Sequence, residues 1–323
     1  MTCILHNALT YPMKIAIAQI SPIWLDREKT LAKVIDYTHQ AAQQGASLVC
    51  FSETLIPGYP FWVELTDGAR FNDEKQKKLF AHYLREGVCI TDGDLDNLCK
   101  AAKQNNIAIY VGVAERAMDR GGHSIYCSLV YIDQSGNIQS SHRKLMPTYE
   151  ERMVWSIGDG NGLVTHKLEE FTVGGLNCWE NWMPMPRAAL YAQGENLHVS
   201  VWPGNVRNTE YLTRHIAVES RSYVISASSY LRREDIPAHI PYRDEIYNNA
   251  SEVMCNGGSC IAAPDGTWVV EPVANQEKLI VADIDLNTVY EERHNFDPSS
   301  HYSRPDVLQL TINRERQSVL KEK

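Results

Sequence analysis

The chain has 323 residues, 44% of them hydrophobic, with 31 Lys and Arg against 40 Asp and Glu for a formal net charge of −9. This composition supplies an ample globular core and excludes disordered and fibrous classes, and an acidic balance without long like-charge runs argues against a nucleic-acid footprint. No apolar run approaches a membrane span and residues 1–7 lack a basic start leading into an apolar core, so a soluble cytoplasmic protein with reduced cysteines is expected.

Residues 13–19 alternate as a strand, and Asp26 then caps a helix whose Leu31, Val34, Ile35, Thr38 and Ala42 share one face, ending at Gly45. Residues 47–51 form an apolar strand that runs into Glu53 and the loop Pro57-Gly58-Tyr59-Pro60. A carboxylate at the rim of a buried strand suits a general base, because partial burial raises its pKa; taken alone, a surface ion pair is the competing reading.

A helical region over about 73–105, a strand at 107–113 and a hairpin of 125–132 with 138–141 follow. The next segment, residues 142–152, mixes charges of both signs with aromatic and proline residues. By itself it reads as a solvated loop; beside Glu53 and Cys178 it supplies a cation in Lys144.

Residues 171–177 are compatible with a strand that ends at Cys178, and Pro184 and Pro186 suit the first turn of a helix continuing to Ala192. A cysteine at such a junction is presented rather than packed away, and nearby free N–H groups favour a thiolate and an oxyanion. The alternative is a small buried hydrophobe.

Further strands are expected at 197–201, 223–227, 259–263, 268–270 and 279–283, with a helix at about 209–222. Residues 232–256 read as a surface loop and those after about 284 as a tail. Paired zinc-knuckle spacings, H-E-x-x-H and nucleotide-binding glycine fingerprints are missing, so neither a metal nor a cofactor is expected.

In the order Glu, Lys, Cys, the three segments resemble the nitrilase superfamily over residues 14–283. The resemblance implies a four-layer α-β-β-α sandwich in one α/β domain, residues 1–323, with its core at about 13–284 and a tail at about 285–323. It also implies Glu53 as general base, Lys144 as the family's lysine, Cys178 as nucleophile and Glu151 as a second glutamate near the active centre. Phe51-Ser52-Glu53-Thr54, the run from Pro147 to Trp155 and Cys178-Trp179-Glu180-Asn181 are similar to the branch that converts nitriles to carboxylic acids and ammonia through a thioimidate and a thioester. An amidase or carbamoylase of the same superfamily is the alternative. Tyr59, Trp179 and Trp202, with Trp62, are candidates to line an apolar pocket for the nitrile's substituent, although aromatic residues also serve as plain core. A homodimer or larger homo-oligomer packed through the helices after Cys178 and around 209–222 is implied as well.

Overall fold

The computed structural model describes residues 12–320; the expectation about residues 1–7, and the thiol of Cys3, lie outside the described residues. One sheet contains β1 (Pro12–Gln19), β2 (Leu48–Phe51), β3 (Ala108–Ala117), β4 (Ser124–Ile132) and β5 (Ile138–Arg143). The second contains β6 (His166–Leu168), β7 (Phe171–Asn177), β8 (Leu197–Trp202), β9 (Tyr223–Ser228), β10 (Tyr230–Arg232), β11 (Val253–Ala262) and β12 (Trp268–Ala274). The last strand, β13 (Lys278–Asp285), returns to the first sheet and lies antiparallel to β1, pairing Ile15 with Ala282.

In each sheet the three central strands are parallel: β1, β2 and β3 in the first, β7, β8 and β9 in the second. Alternation along β1 shows the layering, because successive side chains leave a strand on opposite faces. Ile15 and Ile17 enter a cluster with Leu48, Val199, Val201 and Ile225, which is the seam between the sheets. Ala16 and Ala18 instead join Leu31 and Val34 of α1 (Arg27–Gln43) on the outer face. On the far side, Trp202 and Val224 meet Leu212 and Ile216, completing the α-β-β-α sandwich that the family resemblance implies.

The helical region over 73–105 comprises two helices. It divides into α3 (Glu74–Glu86) and α4 (Asp96–Asn105), preceded by the short α2 (Trp62–Leu65), with Gly87 leaving helical geometry after α3. After β7 comes α5 (Pro184–Tyr191), begun by proline as expected, and the helix expected at 209–222 is split into α6 (Val206–Thr209) and α7 (Leu212–Ser220).

Residues 232–256 are not a surface loop. They carry α8 (Arg243–Asn249) and the start of β11, and Ile236, Ile240, Ile246 and Ala250 pack against Trp62, Tyr83 and Trp155. Polar residues between these anchors hide the apolar spacing. The tail also begins later than expected: α9 (Leu286–Arg293) buries Leu286 and Val289 in the seam, and Arg316 and Gln317 bind the buried Asp159.

Candidate active site

Glu53 lies just beyond β2, where its N–H donates to the carbonyl of Trp202 at 3.2 Å and ties the ends of the two sheets together. Beneath it runs Gly112 of β3: a Cβ there would stand 2.3 Å from the Ser52 carbonyl oxygen and 2.7 Å from Glu53 Cα, so glycine is what lets the strand pass. The Glu53 carboxylate is fully buried. Its Oε1 accepts from Lys144 Nζ at 2.9 Å and from Cys127 Sγ at 3.3 Å, while Oε2 has no hydrogen-bond partner. Burial pushes this carboxyl up to about 7, with Glu151 adding to the effect and Lys144 opposing it.

Lys144 follows β5 and is anchored at both ends of its peptide unit, donating N–H to the Cys127 carbonyl at 2.7 Å and accepting from Gly158 at 2.9 Å. Its Nζ reaches Glu151 Oε2 at 2.7 Å as well as Glu53, in an ion triad withdrawn from solvent. Burial alone would favour the neutral amine. The opposing charges of Cys178, when it is ionised, and of Glu53 and Glu151 outweigh it and hold the ammonium well above the usual lysine value.

Glu151 sits in a 3₁₀ turn, Tyr149–Met153, closed by a Thr148/Glu151 capping box. Its Oε2 accepts the Thr148 N–H at 2.6 Å and its Oε1 the Tyr59 hydroxyl at 2.9 Å. Both oxygens therefore have fixed donors, which sets the orientation in which Oε2 meets Lys144.

Cys178 opens a second 3₁₀ turn, Cys178–Trp182, with φ at +44°, a left-handed conformation that non-glycine residues hold only when surrounding contacts enforce it. The enforcing contacts are visible: the Asn177 N–H donates to Glu180 Oε2 at 2.9 Å, and Asn181 Nδ2 donates to the Cys178 carbonyl at 2.9 Å. Burial, and then the charge of Glu53, push the thiol well above its usual pKa, while Lys144 and the Trp179 N–H act the other way. At rest Cys178 is a thiol, and its ionisation requires a base.

Sγ of Cys178 and carboxylate oxygens of Glu53 and Glu151 lie within 4.8 Å of one another, a donor set of the kind that holds a metal. Lys144 hydrogen-bonds to both carboxylates, so the cation they enclose is an ammonium.

A family model described as carbon–nitrogen hydrolase matches residues 14–294. The chain belongs to the carbon–nitrogen hydrolase family. Among its relatives is "Nitrilase 2" of an unknown prokaryotic organism, 35% identical with 93% of this chain and 92% of the relative covered. The "Aliphatic nitrilase" of Sinorhizobium fredii (strain HH103) is 34% identical, with 94% and 97% covered. In fold, this hydrolase is similar to the crystal structure of a carbon–nitrogen hydrolase from Helicobacter pylori G27, with a TM-score of 0.68 at 17% identity and 91% and 96% of the two chains covered.

The residues that bind the segments of this hydrolase site to one another lie outside the Glu, Lys and Cys pattern. Glu180 is fully buried; its Oε1 accepts the Leu145 N–H at 2.6 Å and its Oε2 the Asn177 N–H at 2.9 Å, with His142 Nε2 at 3.1 Å. It joins the neighbour of Lys144 to the neighbour of Cys178. The spacing Asn177-x-x-Glu180 is a capping-box pattern, so half of this role was legible. Asn181 is held in turn by His198 at 2.8 Å, which contacts Glu195 at 2.9 Å.

The aromatic candidates are dispersed. Trp202 is fully buried, its indole N–H reaching Ser226 Oγ at 3.3 Å, in the cluster that also holds Cys178. Trp179 is 52% exposed beside Cys178, and Trp62 is buried against Tyr83. Tyr59 reaches the site through its hydroxyl, which donates to Glu151 at 2.9 Å and to Glu150 at 3.2 Å.

Proposed function

We propose that the protein is a nitrilase that hydrolyses an organic nitrile to a carboxylic acid and ammonia. The observation that carries this reading is the buried group formed by Glu53, Lys144, Glu151 and Cys178, in which Glu53 keeps one oxygen without a partner. Relatives named nitrilase and aliphatic nitrilase support the choice of nitriles among carbon–nitrogen substrates.

A nitrile carbon is weakly electrophilic, so attack needs a strong nucleophile and stabilisation of charge on nitrogen. Glu53 takes the Cys178 proton as sulfur bonds to carbon, which avoids maintaining a thiolate in a site that disfavours one. Lys144 faces the charge that develops on nitrogen, and the proton taken up by Glu53 passes to that nitrogen, which restores the carboxylate and gives a thioimidate. Water activated by Glu53 adds to its carbon, the C–N bond breaks and ammonia departs with a proton returned by Glu53. A second water cleaves the thioester, releasing the acid and restoring the thiol. Glu151 holds the ammonium in position throughout.

The test is ammonia release from a panel of aliphatic, arylacetic and aromatic nitriles and from the matching amides. Turnover of amides alone would replace nitrilase with amidase. Full nitrile turnover by folded Cys178→Ala would refute the nucleophile, and Lys144→Ala is expected to lose about 10² in kcat.

The proposal extends to a cytoplasmic homo-oligomer. Trp179, Trp182 and Met185, all within eight positions of the nucleophile, are half-exposed or more, and a second copy is the occupant that such a face would take. Among the described residues, no helix is long and apolar enough to cross a membrane. Sedimentation of wild type and Trp182→Glu tests the assembly: a lighter species is expected for the variant.

A further inference from the structure

We propose that Cys127 is a positioning residue for the hydrolysis: a second buried thiol that donates to one oxygen of Glu53 and leaves the other free to take the proton of Cys178. The proposal rests on reading Glu53 as the general base.

Cys127 sits in the middle of β4, paired with Ala114 of β3, and touches both acid–base partners of the site with its two ends. Its carbonyl accepts the Lys144 N–H at 2.7 Å, and its Sγ lies 3.3 Å from Glu53 Oε1, with Thr54 Oγ1 at 3.8 Å on the other side. Burial and the neighbouring glutamates push this thiol well above its usual pKa, so it stays protonated and keeps its S–H to donate to Glu53.

The two oxygens of Glu53 consequently differ. Oε1 accepts from Lys144 and from Cys127, whereas Oε2 is buried with no partner. A carboxylate held on one oxygen by two donors cannot rotate without losing both, and the unoccupied oxygen remains the basic one. The groups facing Glu53 are Lys144, Glu151, Cys178 and Cys127, with the phenols of Tyr59 and Tyr83 further out. Cys127 is the neutral donor of this set on Oε1, so it adjusts the base without adding a charge.

Donation stabilises the ionised carboxylate, and a hydroxyl donates more strongly than a thiol. The acid limb of Cys178 reactivity should therefore have its midpoint ordered Cys127→Ala above wild type above Cys127→Ser, with each step about half a pH unit or more. A thiol that merely filled space would order the proteins by side-chain volume, placing Ser between Ala and Cys.

The experiment is the pH dependence of Cys178 alkylation by iodoacetamide in the full-length chain, with kcat/KM on a nitrile measured alongside and Glu53→Gln as the control that should lose the acid limb. The order Ala, Cys, Ser supports the proposal; unmoved midpoints, volume order, or a Glu53→Gln protein that keeps the limb overturns it. Absence of nitrile turnover in wild type would remove the nitrilase reading alone, because the alkylation order still decides the role of Cys127. Should either variant fail to fold, the S–H infrared stretch of wild type and of Cys178→Ala decides. A band that moves to higher frequency as pH falls through 7, and does so in Cys178→Ala as well, supports donation from Cys127 to Glu53, and a pH-independent set of S–H bands in Cys178→Ala overturns it.

Discussion

Tyr59 donates its hydroxyl to Oε1 of Glu151 at 2.9 Å, a contact that spans 92 residues of chain. Glu150 shares the same hydroxyl at 3.2 Å, while the other oxygen of Glu151 carries Lys144 and Thr148. Tyr59→Phe keeps the ring and its edge contact with Trp155 but leaves a buried carboxylate short of one donor. The expected result is a folded protein whose kcat falls roughly tenfold with little change in KM, equivalent to about 1.4 kcal/mol. A rise in KM with unchanged kcat would instead make Tyr59 a substrate-binding residue.

Glu180 is the second point of attachment. Burial opposes its ionisation, but His142 and the N–H groups of Leu145 and Asn177 outweigh burial and hold the carboxyl below the ordinary glutamate value of 4.5. Glu180→Gln presents an amide N–H₂ to one of these donors. The variant is expected to lose about 1.5–3 kcal/mol of stability at neutral pH and to lose turnover, since both motif segments are released together. A carboxyl depressed in the folded state stabilises above its unfolded value and loses that contribution as pH falls through the folded one. Below pH 4.5 the thermal midpoints of wild type and variant should therefore converge.

The sequence revealed the motif residues because chemistry limits the choice at those positions: a strand leading into Glu53, a hairpin leading into Lys144 and a strand leading into Cys178. It also revealed the strands at residues 13–19 and 197–201, through plain alternation or a short apolar run, whereas the four layers followed only from the family resemblance. What it concealed depends on contacts distant in the chain. The burial of Ile236, Ile240 and Ile246 requires Trp62 and Tyr83, some 150 residues or more away, and nothing in their polar neighbourhood indicates it. Cys127 reads as one more apolar residue in a strand until Glu53 is brought against it. Tyr59 illustrates a further limit, because an aromatic residue in a motif gives no sign of whether its ring or its hydroxyl will be used.

Burial raises the Glu53 carboxyl to about 7, and a base must be ionised to accept a proton. Nitrile turnover is expected to rise with pH through a midpoint near 7 in kcat/KM, and Glu53→Gln should remove both the activity and this limb. The same shift has a stability counterpart of opposite direction to that of Glu180. The folded state binds this proton more tightly than the unfolded one, so the contribution is complete below 4.5 and is lost as pH rises through about 7. Thermal midpoints measured between pH 4.5 and 7 should fall more steeply for wild type than for Glu53→Gln.

Gly112 provides a steric test of how closely Glu53, the proposed base, must be placed. An alanine Cβ there would meet the Ser52 carbonyl oxygen at 2.3 Å, Thr54 N at 2.4 Å and Glu53 Cα at 2.7 Å, all of them backbone or directly attached to it. No rotamer change relieves such contacts, so either β3 or the Glu53 loop must shift. Gly112→Ala is expected to cost about 1–3 kcal/mol of stability, in the range for overpacking, and to reduce kcat by on the order of 10²-fold as the carboxylate moves relative to Cys178. Gly194→Ala is the matched control: its φ of +82° strains an alanine, but nothing lies within 4 Å of the added carbon. That variant should lose about 1 kcal/mol and keep its turnover. Urea denaturation together with steady-state kinetics on both proteins separates the outcomes, and equal activity in the two would show that the position of Glu53 tolerates displacement.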